Sequence, residues 1–207
     1  MKEYPTGNAD FLGMLKSGHF DSGLADMLLL GVDVNTPICD LDGYSTTYLY
    51  EAVRENSLPA VRYLLENGAD PNMYNQDLIC DCALWELQYL YADQDLETRY
   101  EINKLFFKYG ANPNIKCEGE TLYDYIVYQI YNDPPDDDNE WENLRNLYKL
   151  LVLYGGGSET GVYGRPHLKD VDPEKADEYS IMLMRHKDGY HIIGKLIDGD
   201  GKVVGDL

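Results

Sequence analysis

The sequence predicts a mostly α-helical solenoid of about four stacked helix pairs, with long insertions and a short C-terminal β-hairpin or meander. Three observations carry that prediction. First, a glycine-led turn follows an apolar pair four times: Gly31-Val32-Asp33-Val34-Asn35 after Leu29-Leu30, Gly68-Ala69-Asp70-Pro71-Asn72 after Leu64-Leu65, Gly110-Ala111-Asn112-Pro113-Asn114 after Phe106-Phe107, and Gly155-Gly156-Gly157-Ser158 after Leu151-Val152. A glycine just past a helix end takes the left-handed conformation at low cost, so each turn reads as a helix stop. Second, apolar residues between the stops recur at helical spacing. Third, that spacing ends after Gly161 and strand-like alternation flanks Asp188-Gly189, a favoured two-residue hairpin loop. The expected organisation is a repeat domain over 1–160, an irregular connector over 161–178 and a β-hairpin appendage over 179–207, packed on or near the last repeat.

Phe11, Leu12, Met14 and Leu15 give the first helix of the first pair its apolar face, and Leu24, Met27, Leu28 and Leu30 give the second. Thr47 is placed to cap a helix over Tyr48–Arg54, whose buried face is Leu49, Ala52 and Val53. Pro59 falls in the first turn of the next helix, where its missing N–H is harmless. Val61, Leu64 and Leu65 form that helix's stripe. In the third pair Cys82-Ala83-Leu84-Trp85-Glu86-Leu87 opens a first helix that runs on through Tyr89, Leu90 and Tyr91, and the second helix carries Ile102, Leu105, Phe106 and Phe107. The fourth carries Tyr123, Ile126, Val127 and Ile130, then Leu144, Leu147, Leu150 and Leu151. Beyond the connector, a hairpin turning at Asp188-Gly189 sets Met184 opposite Ile193 and Met182 opposite Lys195. A second turn at Asp198-Gly199-Asp200-Gly201 leads into Lys202-Val203-Val204.

The second pair is the best preserved. Thr47-Tyr48-Leu49-Tyr50-Glu51-Ala52, then Asn56-Ser57, Val61, Leu64-Leu65 and Gly68-Ala69-Asp70-Pro71-Asn72 resembles an ankyrin repeat. Tyr48 replaces the proline of the family pattern, Tyr50 its histidine, and Asn56-Ser57 its Gly-His. The resemblance covers about residues 8–160 and is strongest over 47–72. The glycine stops are 37, 42 and 45 residues apart, against about 33 for the family. The surplus falls in the connector 36–46 and between paired helices near 92–95 and 132–139, where stacked arrays tolerate insertion. The resemblance implies a non-enzymatic protein-binding module without a cofactor.

Charge narrows the partner. The net charge is −20, and residues 1–159 carry −18 of it. Such a field repels nucleic acid and anionic membrane and attracts a basic protein. No apolar run reaches the roughly 18 residues of a membrane span, and the N-terminal residues lack a signal-peptide core, so a cytoplasmic location and a monomer are expected. The reading is an acidic adaptor or inhibitor of a basic protein, with an immunity-type protein that neutralises a toxin as one concrete form. The alternatives are a nucleic-acid mimic that blocks a DNA-binding protein, and a metal-binding or enzymatic protein using the C-terminal hairpin.

Catalytic constellations are lacking. There is no Gly-x-Ser-x-Gly and no phosphate-binding loop. His186 and His191 face each other in the hairpin register without an evident third metal ligand. Cys39, Cys80, Cys82 and Cys117 have no Cys-x-x-Cys spacing and read as reduced thiols. Asp136-Asp137-Asp138 reads as a solvated insertion that also starts a helix with favourable negative charge. The remaining signal is 19 tyrosines against 4 phenylalanines. Tyrosine joins large contact area to a polar tip and is enriched at binding surfaces. Tyr123, Tyr148 and Tyr63 are expected in the core. The expected contact set is Tyr44, Tyr74, Asn75 and Asp77 at finger tips; Tyr50, Arg54, Glu86, Tyr89, Tyr125 and Tyr128 on first helices; and Lys116 and Glu118 on a later finger.

Overall fold

The computed structural model describes residues 11, 13, 31–39, 45–74, 82–89, 95–132, 135, 137–158, 165–185 and 192–207, leaving aside the side chains of Cys39, Tyr89, Met184, Arg185, Ile192 and Ile193. The chain divides into two units, Met1–Ala111 and Asn112–Leu207.

In the N-terminal unit β1 (Ile38–Cys39) pairs antiparallel with β2 (Ser45–Thr46), Ile38 opposite Thr46. The chain then enters α1 (Tyr48–Arg54), where extended Thr47 accepts the Tyr50 N–H on Oγ1 at 3.0 Å. This is the expected cap, and it satisfies one of the orphan donors of the first turn. Helix α2 (Leu58–Glu66) follows with Pro59 in its first turn. Helices α3 (Ala83–Tyr89) and α4 (Leu96–Lys108) form the next pair. Asp95 caps α4, accepting the Glu97 N–H at 3.1 Å and the Thr98 hydroxyl at 2.7 Å. The Thr98 and Glu97 bonds hold the Asp95 carboxyl below its ordinary range.

Each pair packs on itself, and the pairs stack in layers: α1 lies against α3, and α2 against α4. Burial follows the layering. Helix α1 buries every residue from Tyr48 to Val53, whereas α2 buries only Ala60, Val61, Leu64 and Leu65, one stripe at i, i+1, i+4 and i+5. Each fully buried leucine or valine contributes about 1.5–3 kcal/mol relative to exposure. Phe11 is fully buried and meets Tyr48 edge-on, with ring centroids 4.8 Å apart.

In the C-terminal unit β3 (Lys116–Cys117) and β4 (Glu120–Thr121) form a tight hairpin whose loop residues Glu118 and Gly119 both have positive φ. Helix α5 (Leu122–Asn132) starts on Thr121, whose hydroxyl accepts the Asp124 N–H at 3.0 Å and donates to Asp124 Oδ2 at 2.9 Å. Asp137 caps α6 (Asp138–Leu153) through the N–H groups of Asn139 and Glu140, so the acidic insertion does start a helix. Tyr123 and Tyr148 are core residues, as expected, with their hydroxyls 3.4 Å apart. Burial, the largest cause in each case, pushes both phenols above their ordinary pKa.

The helix ends repeat one geometry. Gly31, Gly68, Gly110 and Gly155 have φ of 80, 87, 88 and 88°. At the last three the glycine N–H meets the carbonyl three residues back (Leu65, Phe107, Val152). The next N–H meets the carbonyl five back (Leu64, Phe106, Leu151) at 2.9, 2.9 and 2.7 Å. This is a Schellman closure. The next polar side chain then folds onto its own turn: Asp33, Asp70 and Asn112 accept the N–H groups of Asn35, Asn72 and Asn114. Those asparagines reach the following repeat. Asn35 donates to Gly68 O at 2.9 Å and accepts the Asp70 N–H at 2.7 Å. Asn72 donates to Gly110 O at 3.0 Å, and Asn114 accepts the Gly157 N–H at 3.1 Å. The weak copy at 31 therefore shares the left-handed glycine and the folded-back side chain of the strong ones, and the copy at 155 their left-handed glycine and backbone closure.

After α6 the chain builds a four-stranded antiparallel sheet in the order β5 (His167–Leu168), β8 (Val203–Asp206), β7 (Ile192–Ile197), β6 (Ser180–Arg185), with a 3-10 segment at Pro173–Glu178. The expected register holds, with Met182 opposite Lys195 and Met184 opposite Ile193. The stretch read as an irregular connector supplies β5, which pairs with β8 far along the chain, Leu168 opposite Gly205. Leu168 packs so closely that a Cβ built on Gly205 would lie 2.5 Å from its Cδ2. The 3-10 segment and β6 lie against α6, and Lys149 Nζ donates to the Tyr179 carbonyl at 3.3 Å. Leu196 and Ala176 are buried within this unit.

Candidate protein-interaction surface

The first helices of the pairs start in register. Thr47 O accepts the Glu51 N–H, and Cys82 O accepts the Glu86 N–H. Thr121 starts α5 as Thr47 starts α1. Counting from these residues, the fourth position is Glu51, Glu86 and Tyr125, and the seventh is Arg54, Tyr89 and Tyr128. Two positions three apart lie on one helix face.

In the N-terminal unit this face is a charged network. Glu51 is 4% exposed and accepts from the Thr46 hydroxyl at 2.8 Å and from Arg54 Nη1 at 3.4 Å. Glu86, from the neighbouring first helix, accepts the Tyr50 hydroxyl at 2.9 Å and stands 4.0 Å from Arg54 Nε. Burial lowers the Arg54 pKa, but Glu51, Tyr50 and Glu86 outweigh it and hold the guanidinium above its ordinary value. The Arg54 side chain remains 46% exposed. Two carboxylates here share one cation, so the face keeps net negative charge.

The structure thus brings Tyr50, Arg54 and Glu86 together. Tyr50, expected among the contact residues, is buried within the unit, because α1 turns its ring inward and its hydroxyl bridges to Glu86. Tyr74 is 41% exposed beside its backbone pairing with Cys82. In the C-terminal unit Tyr128 is 46% exposed and Tyr125 half-buried on one face of α5, and Lys116 and Glu118 are exposed on the β3–β4 hairpin. Tyr63 is half-buried on α2. Tyr44, Asn75, Asp77, His186, His191, Cys80 and the side chains of Tyr89 and Cys39 lie outside the described residues. Sequence reasoning missed Glu51; its equivalence to Glu86 and Tyr125 was the signal that could have found it.

Among the described residues Cys82 and Cys117 carry reduced thiols, no three His, Cys, Asp or Glu side chains group as a metal site, and no helix is long and apolar enough to cross a membrane. The family model of the ankyrin repeat matches residues 46–76, the segment holding the Thr47 cap, α1, α2 and the Gly68–Asn72 turn. Residues 46–76 thus carry an ankyrin repeat. Its structure is similar to the crystal structure of an ankyrin repeat domain from Acinetobacter baumannii AYE, at 22% identity and a TM-score of 0.48. The match covers 70% of this chain and 63% of that one, so this chain spans less than two thirds of its length. Ankyrin repeats are generally protein–protein interaction modules and typically non-enzymatic.

Proposed function

We propose that this ankyrin-repeat chain is an acidic adaptor or inhibitor that binds a basic protein through its first helices and finger tips, in the cytoplasm and as a monomer. The observation that carries the reading is the Glu51–Arg54–Glu86 face. It presents two carboxylates around one guanidinium on adjacent first helices, within a stretch of net charge −18 over residues 1–159. A partner lysine or arginine arriving there meets Glu86 at its half-exposed rim, while exposed Tyr74 of the same unit supplies a large amphipathic contact of the kind that anchors interfaces. An immunity-type role against a basic toxin is one form of this activity, because charge complementarity speeds capture.

The test is the affinity for the captured partner as salt rises. Between about 50 and 500 mM salt the reading expects weakening of roughly tenfold or more, mostly in the association rate. Glu86→Gln is expected to weaken binding and Tyr74→Ala to speed dissociation. Affinity indifferent to salt and to Glu86→Gln overturns the proposal.

A further inference from the structure

The C-terminal unit carries a feature of the opposite sign. A cleft lies between α6 and the start of β6, lined by Glu142, Arg145, Asn146 and Lys149 from one face of the helix and by Tyr179, Ser180 and Ile181 from the strand side. The spacing i, i+3, i+4 and i+7 puts the four helix residues in one row. Lys149 is 7% exposed, and its ammonium is anchored on the Tyr179 carbonyl, so it supplies a fixed charge rather than a mobile arm. Arg145 stacks over Trp141, its guanidinium carbon 5.9 Å from the ring centroid. Among the described residues no carboxylate lies within ion-pair distance of Arg145, in a chain with 37 acidic residues. The strand beside the cleft is an edge among the described residues: there the sheet order ends at β6, which pairs with β7 alone.

We infer that this cleft receives the C-terminal carboxylate of an extended peptide that adds antiparallel to β6. An edge strand offers backbone hydrogen bonds to an incoming strand. A strand running antiparallel to β6 ends where β6 begins, at Ser180, which is where the two cations lie. The guanidinium of Arg145 is a planar fork suited to a carboxylate, and the Asn146 amide and Ser180 hydroxyl add neutral donors. Glu142, exposed at the far end of the row, opposes an acidic side chain there and favours a single terminal carboxylate over an acidic run. This site takes a different ligand chemistry from the acidic face of the first helices and stands independently of it.

The probe is a random heptapeptide pool with free C-termini, screened against the full chain beside the same pool amidated. Selected peptides are expected to bind only with the free C-terminus, to lose at least tenfold in affinity on amidation, and to shift the backbone amide resonances of Ser180 and Ile181. Arg145→Gln, on a half-exposed side chain and checked by unchanged thermal unfolding, is expected to abolish the preference for the free terminus, while Arg62→Gln on α2 leaves it intact. No selection from the free pool, equal binding of amidated peptides, or shifts confined to α1, α3 and α5 overturns the inference.

Discussion

The turn after α2 and the turn after α6 close their helices identically and then part. Gly68 and Gly155 have φ of 87 and 88° and the same pair of backbone hydrogen bonds. Beyond Gly68 come an alanine, an aspartate that folds onto its own turn, and an asparagine that reaches Gly110. Beyond Gly155 come two more glycines and Ser158, and Gly157, in the place of Asp70, has no side chain to fold back. Two functions are therefore separable in one short motif. The glycine ends the helix, and the polar residues after it propagate the repeat. The second can be lost where no further repeat follows, while the first cannot.

The sharpest way to break the comparison is to restore the missing alanine. Gly156 stands where Ala69 and Ala111 stand, so a repeat-based design would write Gly156→Ala. Here a Cβ would lie 2.8 Å from the Leu151 carbonyl oxygen, because that closure is drawn in to 2.7 Å. The substitution is expected to destabilise by about 1–3 kcal/mol, read as a lower denaturant midpoint. A neutral result would mean that the two turns are interchangeable after all.

Asn35→Ala tests propagation. It removes the donation to Gly68 O and the acceptance from Asp70 N–H together, for an expected loss of about 1–2 kcal/mol. Exchange of the Asp70 amide is expected to quicken more than that of Leu64. Gly68→Ala tests termination alone. A Cβ there meets nothing within 4 Å, so the penalty is that of the left-handed backbone, about 1 kcal/mol. Gly68→Asn, which tolerates that conformation, should recover part of it.

The smallest effect concerns the core of the C-terminal unit. Burial raises the folded-state pKa of Tyr148 above its ordinary value near 10. A raised folded pKa contributes stability that is fully present below the unfolded value, and that stability is lost as pH rises from it toward the folded value. Thermal stability is thus expected to fall above about pH 10, and Tyr148→Phe should flatten that alkaline limb. At neutral pH the variant should differ by about 1 kcal/mol or less, since the Tyr123 hydroxyl lies at a long 3.4 Å.

Local chemistry was legible in the sequence. The left-handed glycines, the Thr47 cap, Pro59 in the first turn and the register of β6 with β7 each depend on a few neighbouring residues. Non-local pairings were not legible. Nothing near His167–Leu168 announces that they lie beside Gly205–Asp206, since two residues carry no period. The Tyr50–Glu86 bond joins two helices 36 positions apart. The cleft at Arg145 likewise needs a helix and a strand that meet only in the fold. At the candidate surface orientation separates the expected residues in a way that residue type does not: Tyr50 points inward while Tyr128 points out.

The packing of α6 sets a limit on the chain. Arg165 lays its aliphatic stem over Gly157, its Cγ 3.1 Å from where a Cβ would be, and the 3-10 segment and β6 occupy the same helix. A solenoid with a bare terminal helix pair is a sticky end, open to another array or to a copy of itself. Here α6 already carries the 3-10 segment and β6, so a helix pair added onto the surface they occupy would first have to displace them.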